Sequence, residues 1–249
     1  MCPVSSCVII PARYASTRFP GKPLVLLLGK PMILWVAEIS ARAVGKKNVY
    51  VATEDTRIAN VVAKAGFAPL MTSPKALTGT DRVAEAAKLI NYDIYVNVQG
   101  DEPLVNPCDI HQCIKLKEAN PEAVVNGFCW IDENEDPGSA NIPKVIMSEA
   151  GKMIYISRTL LPGFKDEENA PARYAKQVCI YGFDHKLLNK YSEFGRKSAL
   201  EKHEDIEILR FLELGRDVFM YECSPGSLAV DVPEDIVRVE AALIKQQNI

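Results

Sequence analysis

Apolar positions along the chain switch between two periods. Residues 7–11 and 48–53 are short, β-branched and almost continuously apolar, whereas residues 32–44 and 58–65 carry apolar side chains at helical spacing. In order they predict strand, helix, strand, helix, and residues 81–90 as helix and 93–98 as strand continue the rhythm. Such alternation predicts an α/β fold with a mainly parallel sheet. The unbroken apolar character of Cys7-Val8-Ile9-Ile10 and of Ile94-Tyr95-Val96-Asn97-Val98 predicts strands covered by helices on both faces. Each of these strands runs directly into polar and small residues. Ligands of open α/β sheets bind beyond the carboxyl ends of the strands, so the segments starting at Arg13 and Gln99 are expected to border one cleft.

From residue 124 to 184 the pattern loosens into short strands at 144–147, 153–156 and 177–183, with a polar loop at 164–172. This stretch reads as an insertion carrying specificity. Residues 201–214 are expected to form one helix with a buried side, ended by Gly215. A last helix is expected to begin near Pro233, where Glu234 and Asp235 suit the positive end of the helix dipole. No repeat, low-complexity tract or linker interrupts the sequence, so a single domain over residues 1–249 is expected.

Composition narrows the partners. Lys plus Arg total 29 against 32 for Asp plus Glu, a net charge of -3, which gives no general attraction to nucleic acid or an anionic membrane. Any polyanion must be held locally. The seven cysteines are odd in number and form no C-x-x-C pair, so they suggest neither a disulfide framework nor a zinc site. The first residues lack a basic start and a long apolar core, and no apolar run approaches about 18 residues. The expected setting is a reducing cytoplasm, with no nucleic-acid and no membrane partner.

Four segments carry chemistry. The loop from Pro11 to Leu24 holds Arg13, Ser16, Thr17, Arg18 and Lys22, a set suited to a polyphosphate, although a solvated basic loop would have the same composition. It is not a Walker A loop, because Pro23 follows Gly21-Lys22. Val96-Asn-Val-Gln-Gly-Asp101-Glu102-Pro103 delivers carboxylates to the sheet edge, which suits Mg²⁺ bridging to phosphates or, alternatively, a cap on the next helix. Asp231, after Ala229-Val230, is either a second metal carboxylate or an N-cap. Thr78-Gly-Thr-Asp-Arg82 opens a helix whose backbone groups can hold a base or ribose, or is simply a capped helix start. The sequence His203-Glu204-Asp-Ile-Glu207 has no second histidine and reads as a solvated face.

Taken together, the motifs resemble those of the cytidylyltransferases that activate 3-deoxy-manno-octulosonate (Kdo), the CMP-Kdo synthetases. The resemblance spans nearly the whole chain and rests on the loop from Ile10 to Leu24, Gly29-Lys-Pro-Met-Ile33, Val51-Ala-Thr53, Thr78-Gly-Thr-Asp-Arg82, Val96-Asn-Val-Gln-Gly-Asp-Glu-Pro103, Tyr155-Ile-Ser-Arg158 and Val230-Asp-Val-Pro-Glu-Asp235. It implies a three-layer α/β fold of the nucleotide-diphospho-sugar-transferase type, with a mainly parallel sheet and an inserted segment for sugar binding and dimerisation. The implied activity converts CTP and a 3-deoxy-2-ulosonic acid into CMP-sugar and pyrophosphate for lipopolysaccharide or capsule synthesis, in a homodimer.

By matching motif positions, the resemblance implies that Arg13, Ser16 and Lys22 bind phosphates, Thr78 and Arg82 border the cytidine, and Gln99 sits between nucleotide and sugar. Asp101 and Asp231 would hold Mg²⁺, and with Lys22 would form the catalytic set. Arg158 would take the sugar carboxylate, and Gln177, Tyr181 and Glu207 would face the sugar.

Three departures cluster on the sugar side. Gln177-Val-Cys-Ile-Tyr-Gly-Phe183 replaces the family's His-Leu-Gly-Ile-Tyr-Gly-Tyr, Ile208 replaces a Gln, and Pro162-Gly-Phe-Lys165 replaces a longer segment. They imply either compensated changes around ordinary Kdo or a pocket for a modified ulosonic acid, such as one with an amino group at C8. A nucleotidyltransferase for another nucleotide and a silent sugar-nucleotide binding protein are the competing readings.

Overall fold

The computed structural model describes residues 4–15, 19–133 and 135–247. Its strands are β1 (Ser6–Ala12), β2 (Leu26–Leu27), β3 (Lys30–Pro31), β4 (Val49–Thr53), β5 (Ala68–Met71), β6 (Ile94–Val98), β7 (Val124–Trp130), β8 (Lys144–Met147), β9 (Met153–Ser157), β10 (Ala175–Phe183) and β11 (Val218–Glu222). The helices are α1 (Met32–Val44), α2 (Thr56–Lys64), α3 (Gly79–Ala87), α4 (Pro107–Ala119), α5 (His185–Glu193), α6 (Ala199–Glu204), α7 (Leu209–Glu213) and α8 (Asp235–Gln247).

The main sheet has the order β11-β7-β10-β6-β1-β4-β5. β1 runs parallel to β4 and β6, β4 is parallel to β5, and β7 is parallel to β11; β10 alone on this path is antiparallel to its neighbours. Successive side chains of β1 enter opposite faces, as the pleat requires. Cys7 and Ile9 pack with α3, α5 and α7, while Val8 and Ile10 pack with α1, α2 and α4. That arrangement is the expected three-layer α/β fold with a mainly parallel sheet. The insertion is β8 and β9, an antiparallel pair attached to β10 at Lys144 and Lys176. A third cluster, around Leu27, Met32, Trp35, Leu104, Val230, Val239 and Leu243, fastens α8 to the hairpin of β2 and β3.

The helix expected over residues 201–214 is two helices. Asp205 adopts left-handed backbone (φ 52°), ends α6 by donating its N–H to the Glu201 carbonyl, and turns the chain so that Glu207 points away from the α6 axis. Asp is one of the few residues that tolerate this conformation. Gly215 (φ 66°) does end α7, and α8 begins at Asp235 rather than at Pro233. The helix that follows Glu102 is α4, whose start is marked by Asn106-Pro107: Asn106 accepts a hydrogen bond from the Cys108 N–H and Pro107 occupies the first turn. β5 is an edge strand carrying Pro69, which hid its strand pattern. Cys7, Cys113, Cys129 and Cys223 are buried as small apolar residues, and burial pushes the Cys129 thiol up to about 11.

Candidate active site

The loop after β1 is shaped by Tyr14 and Gly21. Gly21 donates its N–H to the Tyr14 carbonyl at 2.9 Å with a left-handed backbone (φ 73°), and a Cβ there would lie 3.2 Å from the Tyr14 ring. Tyr14 is held in turn by Glu54, which accepts its N–H, and by the Arg57 guanidinium 3.3 Å over its ring. The turn that follows sends Lys22 inward. Arg13 is exposed at the mouth of the same cleft. Ser16 lies outside the described residues.

Lys22 joins two acids that are 130 positions apart in sequence. Its Nζ lies 2.6 Å from Asp101 Oδ2 and 3.8 Å from Asp231 Oδ1, and donates to the Val230 carbonyl at 2.9 Å. The backbone is fixed on both sides. Val230 donates to the Asp101 carbonyl, while Asp235 Oδ2 accepts the N–H groups of Asp231 and Val232. Gly100 lets the ends of β1 and β6 approach, because a Cβ there would meet the Pro11 carbonyl at 3.0 Å. Asp101 and Glu102 do not cap α4; that place belongs to Asn106.

The start of α3 is the capped helix start, one of the two alternatives that the sequence offered. Thr78 caps the helix by accepting the Asp81 N–H, and the backbone donors that the other alternative would have used for a base or ribose are already taken. Glu207 Oε1 accepts the Gly79 N–H at 2.9 Å, and Oε2 accepts the Thr80 N–H and hydroxyl at 2.7 and 2.6 Å. The helix N-terminus is thus neutralised by a carboxylate from the protein itself. Burial raises the Glu207 carboxyl against these hydrogen bonds, which pull it down. Gln99 lies so close to Gly79 that a Cβ there would come within 2.9 Å of its amide nitrogen. Arg82 is tied to Glu54 at 2.9 Å and to Thr72 at 2.6 Å, and burial lowers its guanidinium despite Glu54. The expected solvated face at 203–207 is likewise corrected, since Glu204 accepts from the Ser157 hydroxyl and the Arg158 N–H.

Arg158 is held by main-chain carbonyls. Its guanidinium donates to Glu204, Ala140 and Asp205, which leaves two of its five N–H donors for another acceptor. Gln177 donates through Nε2 to Asn126, and Tyr181 is 4% exposed and stacked on Phe183.

These side chains line two adjoining cavities. The first, about 280 Å³, is lined by Arg13, Lys22, Thr78, Arg82, Gln99, Asp101, Arg158, Glu207 and Asp231. The second, about 580 Å³, adds Gln177 and Tyr181 and shares Gln99, Asp101, Arg158, Glu207 and Asp231 with the first. Every described residue given a binding or catalytic role from the sequence therefore lines one or both of these adjoining cavities, and the segments starting at Arg13 and Gln99 border them together. Of the three sugar-side departures only the segment starting at Gln177 does so; Ile208 is buried in the core, and residues 162–165 line neither cavity.

Arg210, which holds this cleft from behind, was not among the residues singled out. Arg210 is wholly buried and uses all five donors: on Asp81 (2.9 and 3.2 Å), on Glu201 (2.7 and 2.6 Å) and on the Tyr191 carbonyl. It joins α3, α5, α6 and α7 behind the site. No local pattern announces it, because an arginine in an amphipathic stretch ordinarily faces water. Glu102 is 5% exposed and accepts the Ser227 hydroxyl at 2.5 Å; burial raises it to about 6.

A mainly parallel sheet with cations and carboxylates gathered beyond its carboxyl edge is an α/β protein with its ligand site at that edge. Residues 7–220 match the family model described as cytidylyltransferase. The chain is 42% identical over 238 residues to the 3-deoxy-manno-octulosonate cytidylyltransferase of Trichlorobacter lovleyi, covering 92% of this chain and 94% of that one. It is 37% identical over 244 residues to the 8-amino-3,8-dideoxy-manno-octulosonate cytidylyltransferase of Shewanella frigidimarina, covering 95% and 97%. The solved structure of a CMP:2-keto-3-deoxy-manno-octonic acid synthetase complexed with CTP superposes with a TM-score of 0.89 at 33% identity, covering 97% of this chain and 99% of that one. The chain belongs to the cytidylyltransferase family.

Proposed function

We propose that this chain couples CTP to a 3-deoxy-octulosonic acid, giving a CMP-sugar and pyrophosphate. The observation that carries the reading is the meeting of Lys22, Asp101 and Asp231 where the two cavities share a wall, with Arg158 lining both. The nucleotide takes the first cavity, its triphosphate toward Arg13 and Lys22. The ulosonic acid takes the second, its carboxylate on the two unspent N–H donors of Arg158. Held so, the anomeric hydroxyl oxygen forms a bond to the α-phosphorus, the bond from that phosphorus to the bridging oxygen of the β-phosphate breaks, and pyrophosphate leaves with the electron pair. The hydroxyl proton passes to water. Positioning and charge neutralisation supply most of such a rate enhancement.

The donor set fits Mg²⁺. Among the described residues no group of three or more His, Cys, Asp or Glu side chains is arranged for a metal, but Mg²⁺ is usually held by one or two carboxylates with substrate phosphates and water. Asp101 and Asp231 would hold it, and when bound it neutralises charge on the phosphates. Lys22, now paired with Asp101, would then turn to the triphosphate.

A second reading concerns the sugar. Asp101, Glu102, Glu135, Asp136, Asp205, Glu207, Asp231 and Asp235 line the second cavity against Arg158, Lys176 and Arg238, and Glu135, Asp205 and Asp235 are already paired with Lys176, Lys197 and Arg238. The acidic excess favours an ulosonic acid bearing an ammonium, as in the 8-amino sugar, over one bearing only hydroxyls. We also read the protein as a cytoplasmic homodimer. Ile154, exposed on β9, supports an interface there, and no helix among the described residues is long and apolar enough to cross a membrane.

The test is pyrophosphate release from CTP and Mg²⁺ with Kdo, its 8-amino analogue and N-acetylneuraminate, each at limiting sugar. Turnover of an octulosonic acid with CTP, lost when EDTA is added, is expected. Turnover with another nucleotide in preference to CTP, or with none of the sugars, overturns the reading. Light scattering of the eluted protein checks the dimer.

A further inference from the structure

Asn126 is wholly buried on β7, opposite the point where β10 bulges between Val178 and Tyr181. Its Nδ2 donates to the Val178 carbonyl at 3.0 Å and to the Ile180 carbonyl at 2.9 Å, which spends both amide protons on the bulge. The amide can then stand only one way round. Oδ1 faces Gln177 and accepts from its Nε2 at 2.9 Å. The constraint passes along the pair: with Nε2 turned to Asn126, Oε1 is the acceptor that Gln177 offers to the second cavity, and among the described residues nothing donates to it.

We infer that Asn126 is a positioning residue that acts through the β10 bulge to fix Gln177 as a hydrogen-bond acceptor in the second cavity, selecting an ulosonic acid with a hydroxyl or ammonium donor at that point. The inference rests on the reading of the second cavity as the sugar site. It places specificity one layer behind the cavity wall. A residue with the same bulk as Asn126 but without its two donors would leave the Gln177 amide free to turn over and present N–H instead.

A double-mutant cycle separates this role from a merely structural one. Asn126→Ser and Gln177→Ala are each expected to raise the KM for the octulosonic acid about tenfold, the equivalent of about 1.4 kcal/mol for one hydrogen bond, with the KM for CTP within about twofold of wild type. The double variant is expected to be no worse than Gln177→Ala alone. Losses that multiply, or a CTP KM that rises in step, would overturn the coupling.

Gln177→Glu tests the same point from the other side, because a carboxylate offers an acceptor whichever way it turns. In the Gln177→Glu background Asn126→Ser is therefore expected to add no further loss of sugar affinity. A further tenfold loss there would overturn the coupling. Side-chain amide NMR of the unliganded protein gives a readout independent of turnover. The Gln177 Nε2 protons should be protected from exchange and lose that protection in Asn126→Ser; their equal exchange in both proteins refutes the pairing, whereas absence of turnover in the wild type would count against the functional reading alone.

Discussion

Lys22 and Asp101 meet end to end, Nζ to Oδ2 at 2.6 Å, with Asp231 Oδ1 3.8 Å from the same ammonium. Lys22 is thereby held ready at the shared wall, and the two carboxylates are kept together despite their like charge. Lys22→Met is expected to lower kcat by about 10²–10³-fold, the usual loss for one group that stabilises developing charge. Asp101→Asn is expected to abolish Mg²⁺-dependent pyrophosphate release while the thermal midpoint stays near that of wild type. Steady-state kinetics and circular-dichroism melting of the two variants check both statements, and undiminished turnover in Asp101→Asn would remove that carboxylate from the mechanism.

Glu207 does two jobs at once, lining the cleft and closing the N-terminus of α3. Glu207→Ala leaves the Gly79 and Thr80 N–H groups without this partner and is expected to cost about 1–2 kcal/mol of stability, as loss of a helix cap does. Urea unfolding measures it. A variant as stable as wild type would show that solvent satisfies these donors equally well.

Arg210 sits fully buried between Asp81 and Glu201, with the Tyr191 ring 3.7 Å from its guanidinium. Burial opposes its charge, and the bonds to Glu201 and Asp81 outweigh that and raise its pKa. Removing the cation leaves two carboxylates uncompensated. Arg210→Met is expected to destabilise the fold by about 3–5 kcal/mol, seen as a lowered urea midpoint. The triple change that also replaces Asp81 with Asn and Glu201 with Gln should recover much of the loss, because it removes the stranded charges.

Glu102 gives a pH signature. Burial lifts it from its ordinary 4.5 to about 6, against the pull of the Ser227 hydroxyl, so the folded chain holds this proton more tightly than the unfolded one. Between pH 4.5 and 6 the folded state binds more protons at this site, and the contribution of Glu102 to stability falls as pH rises through that window. The contribution is about 2 kcal/mol from end to end. Glu102→Gln is expected to flatten this part of the profile relative to wild type in urea titrations across the window. An unchanged slope would mean that another group supplies it.

The sequence by itself determined the elements whose burial repeats at short range. Residues 7–11 and 94–98 are apolar on both faces because helices cover both, and Met32–Val44 shows a broad apolar stripe because it packs on the sheet with Ile33, Val36 and Ile39 and on the cluster around α8 with Met32 and Trp35. The loop after β1 and the turn after β6 were legible for the same reason: each interrupts an apolar strand with residues that only a polar ligand or solvent explains. The tertiary structure decided what those residues touch. Lys22 reaches Asp231, Glu207 reaches α3, Asn126 fills the bulge in β10, and Arg210 turns inward, all through contacts between segments more than 50 positions apart except those of Arg210 with α5 and α6. A side chain's partners depend on which elements the sheet order brings together, and local periodicity carries no record of that order. The one helix that sequence drew across residues 201–214 broke at Asp205 for this reason: the hydrogen bonds that Glu204 and Glu207 gain with β9 and α3 favour two short helices over one long one.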